Sequence, residues 1–189
     1  MARNYITSIT NDASGSLGAR QGVYGATFPF PPRYADRYMP DQVLDEYTTR
    51  SFQFGGPWIF MNRLAELRAE DLALAAREIA VFKKIRAAVR DGRVSHLTDR
   101  PADGQTDAIS SYSQAEGTAL AIVTRDQARS DRFMLRFRDL VAARQYQVRF
   151  ERSSARYVMT GTQLMSLGVE VSLPEVRSAE IVYLEPAGK

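Results

Sequence analysis

Residues 132–138 place the strongest constraint on the fold. Phe133, Leu135 and Phe137 alternate there with Arg132, Met134, Arg136 and Arg138. The same period of two recurs in residues 145–151, where Tyr146, Val148 and Phe150 alternate with Gln147 and Arg149. Successive side chains of a strand point to opposite faces, so each run describes a strand with one buried and one wet face. Residues 118–125 are more continuously apolar and suit a central strand. Further strands are expected at 107–113, 156–159, 169–173 and 179–184. Short strands at roughly ten-residue spacing predict an antiparallel β-sandwich. Among them, the glycine-bounded residues 161–168 predict a short helical turn.

The chain changes character near residue 92. A helix is predicted over residues 70–90, where Leu72, Ala75, Ile79, Phe82, Arg86 and Val89 follow a 3–4 spacing. Glu70 and Asp71 open it and Lys83, Lys84, Arg86 and Arg90 crowd its end, an order that complements the helix dipole. Gly92 supplies the stop. A shorter helix is predicted over residues 41–49, started by Pro40 and burying Val43, Leu44 and Tyr47. Residues 5–9, 23–28 and 52–54 read as buried strands. The order strand, strand, helix, strand, helix predicts parallel β/α architecture. Three strands make only a slice of a barrel.

Composition narrows the chemistry. The 189 residues are 44% hydrophobic and 25% charged, enough for one domain or two small ones with a real core. No run of eighteen apolar residues exists, so no membrane span is expected. The first residues lack the basic-then-apolar block of a secretory signal, and a cytoplasmic location is expected. Without cysteine there is no disulfide framework, thiol nucleophile or thiolate metal site. His96 is the one histidine, which argues against a catalytic triad or a multi-histidine metal centre. No phosphate-binding glycine loop or metal-ligand spacing occurs, so neither metal nor cofactor is expected. The net charge of +3 is dispersed and offset by 22 carboxylates, and no nucleic-acid partner is expected. Arginine supplies 22 of the 25 cations, a lopsidedness read as genomic codon bias.

Several stretches, taken in order, resemble the C-terminal part of glycoside hydrolase family 36, the α-galactosidase or melibiase family. VYGATFPFPP at 23–32 resembles the family's tyrosine-glycine strand before a double proline, and RSFQFGGPW at 50–58 a late barrel strand. FKKIRAAVRDGRVSHL at 82–97 is similar to the final barrel helix and its exit. YVMTGTQLMSLGVEVSL at 157–173 and AEIVYLEP at 179–186 resemble the near-terminal and closing segments. The resemblance spans nearly the whole chain and rests on the ordered set. It implies an α/β plus all-β chain: the last strand–helix units of a (β/α)₈ barrel in residues 1–92, then an antiparallel β-sandwich in 93–189. A full barrel takes about 250 residues. Only about three strand–helix units fit in 92.

Family members are retaining glycosidases, whose mechanism needs two carboxyl groups about 5–5.5 Å apart. The family's nucleophile lies in a tryptophan-aspartate motif with no counterpart in this sequence. Its acid/base lies twelve residues before the tyrosine-glycine pair, a position that falls on Asp12. Ile9 stands where the family has tryptophan, and Asp12 equally fits a surface turn in Asn11-Asp-Ala-Ser-Gly-Ser. Trp58 fits stacking on a sugar ring or packing at a strand–helix turn. Tyr24, with Phe28 and Phe30, fits a substrate-facing or a barrel-core position. Arg50 fits a hydroxyl or carboxylate binder, or a helix-end surface arginine. His96 reads as structural, and the pairs Asp41/Asp45 and Glu66/Glu70 as solvated helix faces.

The reading these features favour is the C-terminal part of a retaining hydrolase of terminal α-galactosides, without turnover of its own. A non-catalytic carbohydrate-binding or structural module is the alternative. Unpaired strand edges in a partial barrel predict either self-association through residues 1–60 or mobility of that segment, with the helix over residues 70–90 docked on the sandwich.

Overall fold

A computed structural model describes residues 15–39 and 43–188. The predicted strand at 5–9, and Asp12 with it, lie outside these residues. The chain begins with α1 (Gly15–Ala26), β1 (Arg37–Met39), α2 (Glu46–Ser51) and β2 (Trp58–Phe60). A long helix, α3 (Ala69–Asp91), then leads into β3 (Arg93–His96), β4 (Thr106–Ser113), β5 (Thr118–Arg125), β6 (Arg132–Leu135) and β7 (Gln145–Phe150). After β8 (Arg156–Thr160) come α4 (Gly161–Ser166), β9 (Val169–Ser172) and β10 (Ser178–Pro186).

Six strands form an antiparallel sheet in the order β3-β4-β5-β10-β7-β8. A second, two-stranded sheet pairs β6 with β9, also antiparallel. Ala121, Val123, Val148, Val182 and Leu184 from the large sheet meet Leu135, Phe137, Leu164, Val171 and Leu173 in the principal core. The alternation read from the sequence is therefore correct in phase: Leu135, Phe137, Tyr146 and Val148 are buried, Met134 is exposed. Phe133 and Phe150 sit at the margin, partly buried against the same core.

The other face of the large sheet is not wet. Leu120, Ile122 and Ile181 point from it into a second core, filled by Val81, Ile85 and Val89 of α3 together with Val23 and Phe54. This is why β5 carries apolar residues at consecutive positions, as a strand covered on both sides must. A smaller core joins Ala19, Met39, Leu44 and Phe52.

The first sixty residues depart most from expectation. Residues 23–28 are not a strand. Val23 and Tyr24 belong to α1, whose Ser16, Ala19, Arg20 and Val23 are buried at helical spacing. β-branched and aromatic residues beside glycine favour strand locally, but packing of this face against the sheet overrides that preference. Residues 52–54 form the turn after α2 and not a strand. α2 itself starts at Glu46, where the Asp45 carboxylate caps it by accepting from the Thr48 amide at 2.6 Å. The observed parallel pair is β1 with β2, in the register Arg37–Trp58 to Met39–Phe60.

α3 matches its predicted span to within a residue. Its buried stripe is Ala75, Glu78, Val81, Ile85 and Val89, whereas Leu72 and Arg86 are exposed. The stripe is rotated by one position because it includes a glutamate, which hydrophobic spacing cannot reveal. α4 has a full capping box, with Thr160 and Gln163 bonded reciprocally.

Candidate functional site

Arg50 ends α2 and is driven inward by the packing of that helix over the large sheet. Its Nη2 and Nε donate to Glu78 Oε1 and Oε2 at 3.0 and 3.1 Å, and its Nη1 donates to the Ala179 carbonyl at 2.8 Å. Gln53 Nε2 donates to the same Glu78 carboxylate at 3.2 Å. Burial works against the Arg50 charge, but the bonds and field of Glu78 hold its pKa above the ordinary value. The arginine thus joins α2, α3 and β10 and is neither a helix-end surface residue nor open to a ligand.

A second polar cluster lies beside it. Arg20 of α1 donates from Nε to Asp107 Oδ2 at 2.9 Å and from Nη1 to Ser51 Oγ at 2.9 Å and to the Tyr47 hydroxyl at 3.2 Å. Tyr47 in turn donates to Asp126 Oδ1 at 3.0 Å. Burial pushes Asp107 up to about 6, with the Asp126 charge adding to the shift, although Arg20 opposes it. Burial alone would raise Asp126 as well, yet hydrogen bonds from the Gly104 amide, Asp103 and Tyr47 pull it below the usual range. Two carboxyls with pKa values driven apart have the electronic character of an acid/base pair. Here both are bound to one arginine–tyrosine unit, and geometry decides the matter.

Tyr24 and Arg50 meet at one cavity, shared with Arg20, Ser51 and Asp107. Its volume is about 20 Å³. That is the size of a water molecule, whereas ligand sites for small organic molecules run to several hundred cubic ångströms. Tyr24 also stacks with His96 and Phe28, ring centroids 4.3 and 5.3 Å away, and His96 Nε2 lies 2.8 Å from Thr27 Oγ1. Burial lowers the His96 pKa, and the nearby Arg138 charge lowers it further. Trp58 stands apart from these groups. It is half-buried at the start of β2 and packs edge-on against Phe82 and Phe60, at 5.4 and 6.1 Å. Asp12 lies outside the described residues. The three described residues among those singled out in the sequence, Arg50, Tyr24 and Trp58, therefore divide among a polar junction, an aromatic cluster and a packing site. Glu78, Arg20 and Asp107 were not singled out, since no spacing signal marks an ion pair formed across tens of residues.

Among the described residues no group of three acidic or histidine side chains could hold a metal ion, and no helix is long and apolar enough to cross a membrane.

No protein-family model matches the chain, and no curated protein matches its sequence. Its fold, in contrast, has solved counterparts. The galactosidase domain of the α-galactosidase–sucrose kinase AgaSK superposes with a TM-score of 0.76 at 20% identity, over 90% of this chain and 24% of that one. The family 36 α-galactosidase AgaB from Geobacillus stearothermophilus gives 0.76 at 17% identity, over 94% of this chain and 25% of its own. A putative α-N-acetylgalactosaminidase from Bacillus halodurans gives 0.59 at 9% identity, over 93% and 44%. The resemblance to the C-terminal part of the family 36 enzymes is borne out at the level of fold. The chain spans about a quarter of the length of these α-galactosidases.

Proposed function

We propose that these residues are the C-terminal part of a retaining α-galactosidase-like glycoside hydrolase, acting on terminal α-galactosides of oligosaccharides. Residues 1–92 are the closing strand–helix units of its barrel and residues 93–189 its β-sandwich. The observation that carries this reading is the shared fold over about nine-tenths of the chain with enzymes that are themselves α-galactosidases. The parallel pair β1–β2 followed by α3 is in keeping with a barrel end. Variants of AgaA from G. stearothermophilus bind raffinose and stachyose, which supports a carbohydrate substrate.

Asp12 is the proposed acid/base and Trp58 the proposed sugar-stacking residue, with Tyr24 shaping the interior beneath. Arg50 contributes by fixing α2 on the sheet. A displacement by two carboxylates needs no metal or organic cofactor, and the enzyme is assigned to the cytoplasm. One carboxylate cannot do the work of two, so residues 1–189 alone turn over no substrate.

The test is to read the coding region immediately upstream, express any in-frame barrel segment with this one, and assay a chromogenic α-galactoside. Hydrolysis by the longer chain, abolished by Asp12→Asn and absent from residues 1–189 alone, is expected. An upstream region without a tryptophan-aspartate barrel segment sinks this reading. The water-sized cavity at Tyr24 and Arg50 then favours a non-catalytic module.

A further inference from the structure

The large sheet extends past the small one at its β8 edge, and a cleft opens there. Its volume is about 410 Å³, within the range of small-molecule sites. Phe150, Tyr157, Met159 and Glu180 line one wall, and Glu170 and Ser172 of β9 the other. Tyr157 is 50% exposed and stands edge-on to Phe150, with ring centroids 6.0 Å apart.

Glu180 gives the cleft its chemistry. It shares the sandwich-facing side of β10 with Val182 and Leu184, and is only 3% exposed. Its Oε1 accepts from the amides of Glu151, Arg152 and Ile181 at 3.0, 3.1 and 2.8 Å. No described residue donates to its Oε2, and Arg50, committed to Glu78, reaches it only through its field. A buried carboxylate is costly to leave half satisfied. This one is held by three amides through one oxygen, and the residue lines an open cleft. Nearby, Ser153 Oγ accepts from the Ala155 amide at 3.1 Å, which leaves its hydroxyl hydrogen to donate.

We propose that this cleft binds a neutral saccharide, with a pyranose ring against Tyr157 and a sugar hydroxyl donating to Glu180 Oε2. Each feature of the lining selects for that class. The Glu180 carboxylate repels an acidic ligand, whereas Glu170 is paired with Arg132 at 2.9 Å. An ammonium ligand offers donors only and would waste the serine hydroxyls, whereas a sugar both donates and accepts. A purely apolar ligand would leave Glu180 unpaired. Hydroxyl-to-carboxylate bonds are short and strong, and the aromatic edge supplies the apolar platform that a pyranose face needs. The proposal rests on this lining and not on the hydrolase reading.

The experiment is saturation-transfer NMR and calorimetry on the purified chain with galactose, glucose, mannose and raffinose at millimolar concentrations, and with tetramethylammonium as a cationic probe. At least one sugar is expected to bind. Tyr157→Ala, at a half-exposed position that the fold does not need, should weaken binding about tenfold, the weight of one aromatic contact. Glu180→Gln keeps the acceptor oxygen for the three amides and should weaken it similarly. If Glu180→Gln fails to fold, Tyr157→Ala decides alone. No transfer to any of the four sugars, unchanged affinity in Tyr157→Ala, or binding of tetramethylammonium in place of the sugars overturns the proposal.

Discussion

Arg50 and Glu78 face one another in a two-bond pairing wholly inside the protein, their side chains 3% and 0% exposed. Neither charge could stay there without the other. Removing one partner of a buried pair typically costs about 3–5 kcal/mol, whereas replacing both with apolar groups of similar volume is often neutral. Glu78→Gln and Arg50→Ala should each lower the unfolding free energy by that order in urea titrations. The double variant Arg50→Met/Glu78→Leu should recover most of the loss. A double variant as unstable as the sum of the singles would mean that the pair itself, and not relief of stranded charge, supplies the stability.

Leu135 tests the sandwich core. It is fully buried between the two sheets, while its neighbour Met134 is 45% exposed. Leu135→Ala should cost about 2–5 kcal/mol, and Met134→Ala less than about 0.5 kcal/mol. Chemical denaturation of both variants measures the contrast, and equal losses would show that the faces of β6 are misassigned.

The Asp107 carboxyl should titrate near pH 6, as read by carboxyl-carbon NMR, while Asp126 titrates below the usual range. The folded protein holds the Asp107 proton more tightly than the unfolded chain does. Its contribution to stability is therefore complete below the unfolded value near 3.8 and is lost as pH rises through about 6. The size of that loss is on the order of 3 kcal/mol. In Asp107→Asn the fall of stability across this window should be reduced. Glu180, which burial also raises, supplies some of the remaining slope. A variant that keeps the whole wild-type slope would refute the assignment.

Gly92 joins α3 to β3 where a side chain has no room. A Cβ there would lie 2.0 Å from Ser111 Oγ and 2.5 Å from the Ala88 carbonyl oxygen. Ser111 is itself committed, donating to Ala88 O at 2.7 Å. Gly92→Ala should cost on the order of 1–3 kcal/mol through overpacking, measured by thermal unfolding. Ala substitution at Gly25, where nothing lies within 4 Å of a Cβ and φ is not positive, is the control for the change in backbone freedom.

The parts of the fold that the sequence discloses are those whose packing is periodic and local. β5, β7 and the span of α3 follow from runs whose buried faces repeat every two or every three to four residues. β3, Arg93-Val-Ser-His96, is too short to show a period in the sequence. Residues 23–28 misled because their strand-like composition serves a helix, α1, that is held by a contact 87 residues away, from Arg20 to Asp107. Arg50 stands out by its position near an expected strand end, but its partner Glu78 lies in the middle of a helix and looks in sequence like any solvated glutamate. Long-range charge pairing leaves no local trace. The sandwich was thus legible almost residue by residue, and the polar junction beneath the helices was not.

β10 lies between β5 and β7, and those two strands have no hydrogen bonds to each other. Residues 118–150 leave the ribosome well before the strand that unites them. Until residues 178–186 emerge, the growing chain can hold at most two half-sheets, β3-β4-β5 and β7-β8, each with a naked edge. Such edges are where nascent chains capture one another or are covered by chaperones. A premature stop ahead of Ser178 would therefore yield no smaller working domain, only a chain with two adhesive borders. Slow codons just before this strand would prolong the same exposure.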